Sequence, residues 1–230
     1  MSDLRILHSP FQWRALDAGL RRESACAVID VIRATSTIVA ALANGADGVQ
    51  PVAGLDDAFS LKAKTPSALL AGERGGQPLP GFDLGNAPED FTPDRVKGRR
   101  VILTTTNGTQ ALAACSGART VLAVSLLNLE AAAARLRELG PPWLVLCAGC
   151  DGDFGMDDAV VAGALAETLG QEHAFVSLYR SVKHELSATL LNSLAGQELV
   201  KVGLAKDVPF CAQLNRFAIA PMLDANSVLR

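Results

Sequence analysis

The sequence predicts an α/β protein, a three-layer α/β/α sandwich on a mostly parallel sheet, and three observations carry that expectation. Short β-branched and leucine-rich runs alternate with Ala/Leu-rich segments of helical length, the pattern of βα units covered on both faces. Apolar residues make up 49% of the chain against 20% charged, enough to fill a well-buried core. Nothing in the 230 residues looks like a linker, so residues 1–230 read as one domain.

Strands are expected at residues 4–7, 26–32, 48–52, 68–71, 101–103, 120–124, 143–147 and 173–176, where apolar runs are short. Helices are expected at 35–44, 55–64, 109–116, 129–139 and 157–169, with a further one at 181–191. Between them, residues 72–88 hold five glycines and three prolines, an irregular insertion long enough to suggest that it borders a functional site. From Gln197 onward the chain reads as a terminal helix followed by an irregular or edge-strand segment.

The formal charge of −3, without a basic run, argues against a nucleic-acid partner. No apolar run approaches the roughly twenty residues of a membrane span, and Met1-Ser-Asp-Leu-Arg lacks a secretory pattern, so a cytoplasmic protein without a membrane partner is expected. Five cysteines, at 26, 115, 147, 150 and 211, suit buried thiols in a reducing compartment better than a disulfide framework. A small, apolar-rich chain leaves room for a homodimer.

The most informative stretch is Cys26-Ala-Val-Ile-Asp30-Val-Ile-Arg33-Ala-Thr35-Ser36-Thr37, followed by an apolar run. A buried strand there delivers a carboxylate, a guanidinium and three hydroxyls to a helix start, where free backbone N–H groups favour an anion. Asp30, in an otherwise apolar run, needs a partner or a metal; an internal ion pair with Arg33 is the plain alternative. Arg33 has the fork geometry to grip a phosphate or carboxylate. The same logic recurs where Arg100-Val-Ile-Leu103 runs into Thr104-Thr105-Thr106-Asn107-Gly108-Thr109, a hydroxyl-rich turn before a helix. In open α/β sheets ligands bind beyond the carboxyl ends of strands, so both segments can face one crevice.

Three further places hold chemistry-bearing residues. Glu73 and Arg74 precede Gly75-Gly76, which lets backbone approach a ligand, whereas Asp83 and Asn86 read more readily as loop-organising Asx-turn residues. Asp151, Asp153, Asp157 and Asp158 follow the strand at 143–147; the last two are adequate helix-start residues, and hard oxygens of this kind suit magnesium or manganese. Other motifs fail. Cys147-x-x-Cys150 has no second pair for zinc, Asp151-x-Asp153-x-Gly155 misplaces the glycine of a calcium loop, and no Walker loop, dinucleotide fingerprint or Gly-x-Ser-x-Gly elbow is present.

The blocks Val28-Ile-Asp-Val-Ile-Arg-Ala-Thr-Ser-Thr37, Gly72-Glu-Arg-Gly75, Gly81-Phe-Asp-Leu-Gly-Asn-Ala-Pro88, Thr104-Thr-Thr-Asn-Gly-Thr109, Cys147-Ala-Gly149 with Asp157-Asp158, and Asp207-Val-Pro-Phe-Cys-Ala-Gln213 together resemble the ComB family, the 2-phosphosulfolactate phosphatases. The resemblance covers about positions 25 to 222, with Ala87, Cys150 and Asp157 standing where serine, threonine and glutamate are usual in the family. It implies an α/β/α fold and magnesium-dependent hydrolysis of 2-phospho-3-sulfolactate to sulfolactate and phosphate, as in coenzyme M biosynthesis. On that footing Asp30, Arg33 and Glu73 are the expected catalytic residues. Mg2+ would sit on Asp30 with Glu73 or Asp158, and Thr35, Ser36, Arg74, Thr105, Thr106, Asn107, Gly108 and Thr109 would contact the anionic substrate. Whether water or a carboxylate attacks is open, with Asp30 the first choice if a carboxylate does. A phosphatase for another small phospho-hydroxyacid, and a non-catalytic anion-binding or redox module around Cys147 and Cys150, are the competing readings.

Overall fold

In the computed structural model, which describes residues 3–230, the strands and helices alternate as the apolar periodicity predicts. The first half runs β1 (Leu4–Leu7), α1 (Pro10–Ala15), α2 (Ala18–Glu23), β2 (Ala25–Ile29), α3 (Ala34–Ala43), β3 (Gly48–Pro51), α4 (Leu55–Lys64), β4 (Leu69–Arg74), β5 (Gln77–Pro78), α5 (Pro93–Val96) and β6 (Arg100–Thr104). The second half runs α6 (Gly108–Ala114), β7 (Thr120–Val124), α7 (Leu129–Leu139), β8 (Trp143–Cys147), α8 (Met156–Thr168), α9 (Ala174–Val182), α10 (Leu186–Leu191), α11 (Leu194–Lys201) and α12 (Val208–Cys211). Among the described residues no helix is long and apolar enough to cross a membrane.

The α/β class and the parallel pairing hold, but the strands divide between two four-stranded sheets, ordered β1-β8-β2-β7 and β3-β6-β4-β5, rather than forming one. The first is parallel throughout; in the second only the β4–β5 hairpin is antiparallel. Side chains of β2 alternate between two cores. Ala25, Ala27 and Ile29 pack with Ala132 and Leu136 of α7 and Val161 and Leu165 of α8. Cys26 and Val28 pack with Ile38 of α3 and Leu112 of α6, which completes an α/β/α sandwich about this sheet.

The division into two sheets follows from α3. Eight consecutive residues, Ala34 through Ala41, are buried in it, and a helix apolar all round needs cover on every side. The second sheet supplies that cover: Val49, Leu69, Ala71, Val101 and Leu103 join the same core from the far side. The C-terminal segment then ties the two sheets at their edges. Leu223 N donates to Val121 O of β7 (2.9 Å), and Val49 of β3 exchanges hydrogen bonds with Leu229 (3.0 and 2.7 Å). The edge-strand character expected of the tail is thus realised as a strap that covers one edge strand of each sheet, β7 and β3.

Two further expectations differ. The strand expected at 173–176 is the first turn of α9, with His173 as its N-cap accepting from Phe175 N (3.1 Å). A four-residue apolar run does not distinguish strand from helix, and here the helical spacing of Val176 and Tyr179, which are both buried, decides. The helix expected at 181–191 is broken between α9 and α10. The reason is α8, buried without interruption from Asp157 to Ala166, which requires α9 as an outer cover. The two helices approach so closely at Gly163 that a Cβ there would lie 1.9 Å from Phe175 O. Replacing Gly163 by Ala should therefore destabilise the protein by about 1–3 kcal/mol despite alanine's better helix propensity. Urea unfolding would check this, and an unchanged midpoint would contradict the close packing.

Candidate active site

Four chain segments at the carboxyl ends of β2, β4, β6 and β8, together with α11, enclose a cleft of about 120 Å³. Asp30 follows the last residue of β2 and is 7% exposed. Its Oδ1 accepts from Ala34 N (3.1 Å), so the carboxylate caps α3 itself, while Oδ2 accepts no hydrogen bond among the described residues. The helix start that the sequence offers to a foreign anion is thus partly filled by the protein's own. Burial is the largest influence on Asp30 and pushes its pKa up to about 7; the Ala34 amide opposes this, Asp157 and Glu73 add to it, and Arg33 counters it.

Glu73, near the end of β4, is held the same way. Oε1 accepts from Thr106 N and Oε2 from Gly76 N, both at 2.8 Å, so the Gly-rich insertion and the turn after β6 close around one carboxylate. Gly108 permits a close approach to Asp30, since a Cβ there would sit 2.5 Å from Asp30 Oδ2 and 2.5 Å from Ala34 Cβ. The Ile32–Arg33 peptide is cis. Arg33 is 4% exposed and bonds Asp207 Oδ2 at 2.5 Å and Gly76 O at 2.7 Å, so its partner is Asp207 and not Asp30.

The remaining residues separate into those that face the cleft and those that build its walls. Thr106 and Asn107 line it, with Asn107 Oδ1 accepting from Asp151 N (3.2 Å). Thr35 Oγ1 bonds Asp30 O, Ser36 Oγ bonds Val31 O, and Thr105 and Thr109 bond one another; these buried hydroxyls brace the two helix starts and lie outside the cleft lining. Arg74 turns onto Glu73 O and Thr104 Oγ1, also away from the lining. Asp158 ties β2 to β8, its Oδ1 accepting from Val31 N (2.9 Å) and Oδ2 from Gly149 N (3.0 Å), and burial drives its pKa well up. Burial likewise raises Asp157 to about 6.

Sequence reasoning missed Asp207, whose partner Arg33 lies 174 residues away, and Glu198 of α11, which reaches the rim. It also assigned Asn86 to loop organisation, although Asn86 lines the cleft; Asp83 does organise the loop, accepting from Leu70 N (2.8 Å). Arg33 is the single cation among the lining residues, against the carboxylates of Asp30, Glu73, Asp151 and Glu198. The Cys150 thiol, pushed up to about 11 by burial and nearby carboxylates, is the opposite of the depressed thiol that disulfide exchange requires.

A family model described as 2-phosphosulpholactate phosphatase matches residues 15–226. Several relatives carry the name "Probable 2-phosphosulfolactate phosphatase". One from Carboxydothermus hydrogenoformans is 39% identical over 206 residues, covering 86% of this chain and 86% of the relative. One from Symbiobacterium thermophilum is 39% identical over 214 residues, covering 88% and 92%. A third, from a Synechococcus strain, is 41% identical over 212 residues, covering 85% and 87%.

The raised pKa of Asp30 has a consequence for stability. A carboxyl that titrates near 7 when folded, against 3.8 ordinarily, binds its proton more tightly in the folded protein. The stabilisation this contributes is complete below the ordinary value and is lost as pH rises through about 7. In chelator-containing buffer, Asp30→Asn should therefore be more stable than the wild type at alkaline pH, by on the order of 2 kcal/mol. The advantage should shrink as the pH falls toward the ordinary carboxylate range. Parallel stability–pH curves for the two proteins would refute the buried, proton-hungry carboxyl.

Proposed function

The chain belongs to the 2-phosphosulpholactate phosphatase family, and from that membership we propose that it hydrolyses 2-phospho-3-sulfolactate to 3-sulfolactate and phosphate. The observation that carries the reading is the pairing of Asp30 and Glu73, two buried carboxylates anchored by backbone amides and opening on one cleft beside the Arg33 guanidinium. Water supplies the oxygen that replaces the ester oxygen on phosphorus, and the leaving alkoxide takes a proton to become the hydroxyl of the product.

The donor set fits a hard divalent cation. Among the described residues no cation is paired to Asp30 or Glu73, and no three His, Cys, Asp or Glu side chains form a ready-made cage. That combination suits magnesium, which binds through one or two carboxylates and fills its remaining positions with water and substrate phosphate. Asp30 and Glu73 would hold it, whereas Asp158 already accepts from two backbone amides. A bound Mg2+ would polarise the phosphoryl oxygens.

The chain's own groups do the rest. Arg33, locked by Asp207 and Gly76, presents its remaining guanidinium edge to an anionic oxygen without having to be ordered first. The carboxamide NH2 of Asn107 adds a neutral donor, whereas Thr106 directs both its amide and its hydroxyl at Glu73. Asp30 Oδ2, free of protein partners, is positioned to orient an attacking water or to attack phosphorus itself. We place the protein in the cytoplasm, since all five cysteines are free thiols suited to a reducing compartment.

A second reading keeps the chemistry and changes the substrate. One guanidinium, already paired with Asp207, faces several carboxylates, a balance that also suits a phospho-hydroxyacid lacking the sulfonate. Phosphate release should be assayed on 2-phospho-3-sulfolactate and on 2-phospholactate, with magnesium and with EDTA. Release from the first, abolished by EDTA, is expected; no release from any phospho-acid would overturn both readings. Asp30→Asn should lower kcat/KM by about 10³-fold or more, the scale of losing a group that acts in the transition state, with the fold unchanged by circular dichroism. An active variant would remove Asp30 from its role.

A further inference from the structure

We propose that Asn86 is a substrate-binding residue of this cleft, its carboxamide donating to an oxygen of a tetrahedral oxyanion on the ligand; the proposal rests on the phosphatase reading and extends it to a residue for which the sequence suggested only loop architecture. Asn86 is 4% exposed and lines the cleft with Asp30, Arg33 and Glu73. Its backbone carbonyl accepts from Thr37 Oγ1 (2.9 Å), which pins the residue to α3. Its side chain, however, makes no hydrogen bond among the described residues, and Oδ1 is fully buried without a partner.

Buried polar groups are nearly always satisfied, so an orphan carboxamide in a cleft wall calls for a ligand. The comparison within this protein is Asn128, buried and structural, whose Nδ2 donates to Ala123 O and Ile219 O while Oδ1 accepts from Ser125 N. The other orphan buried atoms, on His8 and Trp13, lie outside the cleft lining.

The ligand chemistry follows from what surrounds Asn86. Asp30 and Glu73 only accept once ionised, and Arg33 already directs N–H groups at Asp207 and Gly76. An anionic substrate therefore meets few free donors, and the NH2 of Asn86 is one of them. Of the two carboxamide ends only Oδ1 is sealed off, so the NH2, which has no hydrogen-bond partner among the described residues, is the end left accessible to a ligand oxygen. A neutral donor also reads an oxyanion without adding charge to a wall that already holds Arg33.

Both phosphate and sulfonate are tetrahedral oxyanions, and two substrates distinguish them. For Asn86→Ala on 2-phospho-3-sulfolactate, KM should rise by about 10- to 100-fold, the equivalent of one hydrogen bond to a charged group. The same rise on 2-phospholactate assigns the contact to the phosphate, and its absence there assigns it to the sulfonate. Asn86→Asp, equal in shape but carrying an acceptor in place of the donor, should bind worse than the alanine variant and serves if that variant does not fold. KM values within twofold of wild type on both substrates, in a folded variant of either kind, would overturn the proposal. Should the wild type release no phosphate, the phosphatase reading fails separately. Calorimetry with inorganic phosphate and with 3-sulfolactate then decides: weaker binding by the Asn86 variants sustains the oxyanion contact, and equal binding, or none by the wild type, overturns it.

Discussion

The capping of α3 by Asp30 is the interaction on which the rest of the molecule depends. A carboxylate almost removed from water is tolerable only if something compensates its charge, and the Ala34 amide at the positive end of the helix does so at 3.1 Å. That one bond fixes the exit of β2, the direction of α3 and the location of a free carboxylate oxygen. It also forces Gly108, because a methyl group there would collide with Oδ2. The turn after β6 is therefore shaped by a residue on β2.

The same device is repeated around the cleft. Glu73 takes two backbone amides and Asp158 takes two more, so carboxylates staple loops from four strands, alongside the Arg33–Gly76 and Arg74–Thr104 bonds. Amide donors stabilise negative charge without neutralising it, which leaves the acidic groups open to a further partner. Arg33 shows the contrasting arrangement. Its charge is matched by Asp207 at 2.5 Å inside the protein, and it serves as a rigid donor array more than as a counter-charge. The cleft therefore joins a negative bias to a small number of well-held donors, a combination that suits a substrate anion arriving with a metal ion.

The apolar helices α3 and α8 explain the architecture beyond the site. Each is buried along consecutive residues, and the buried acidic or hydroxyl groups of each lie at its start. Such a helix cannot lie on a protein surface, so it recruits a second layer, the β3-β6-β4-β5 sheet for α3 and α9 for α8. This burial removes water from the helix starts, and loss of water is what raises the carboxyl pKa values there.

Much of this was legible locally. The βα alternation, the placement of α4 and α7 and the position of Asp30 and Arg33 at a strand end follow from period, composition and the position of a charge within an apolar run. The continuous burial of α3 was also present in its composition, but which surface would cover it was not, because one apolar helix looks the same under a strand or another helix. The division of labour among polar residues depended wholly on tertiary contacts. Thr35, Ser36, Thr105 and Thr109 turn inward to brace backbone, whereas Asn86 opens on the cleft, and identical hydroxyls and amides in a sequence carry no sign of which they will do. Arg33 and Asp207 are separated by 174 residues. By itself the sequence determined that charge would be buried at the end of β2, since an acid inside an apolar run has nowhere else to go; only the tertiary structure decided what would meet that charge beyond the local Ala34 amide, because Gly108 against Asp30 and Asp207 against Arg33 arrive from elements distant along the chain.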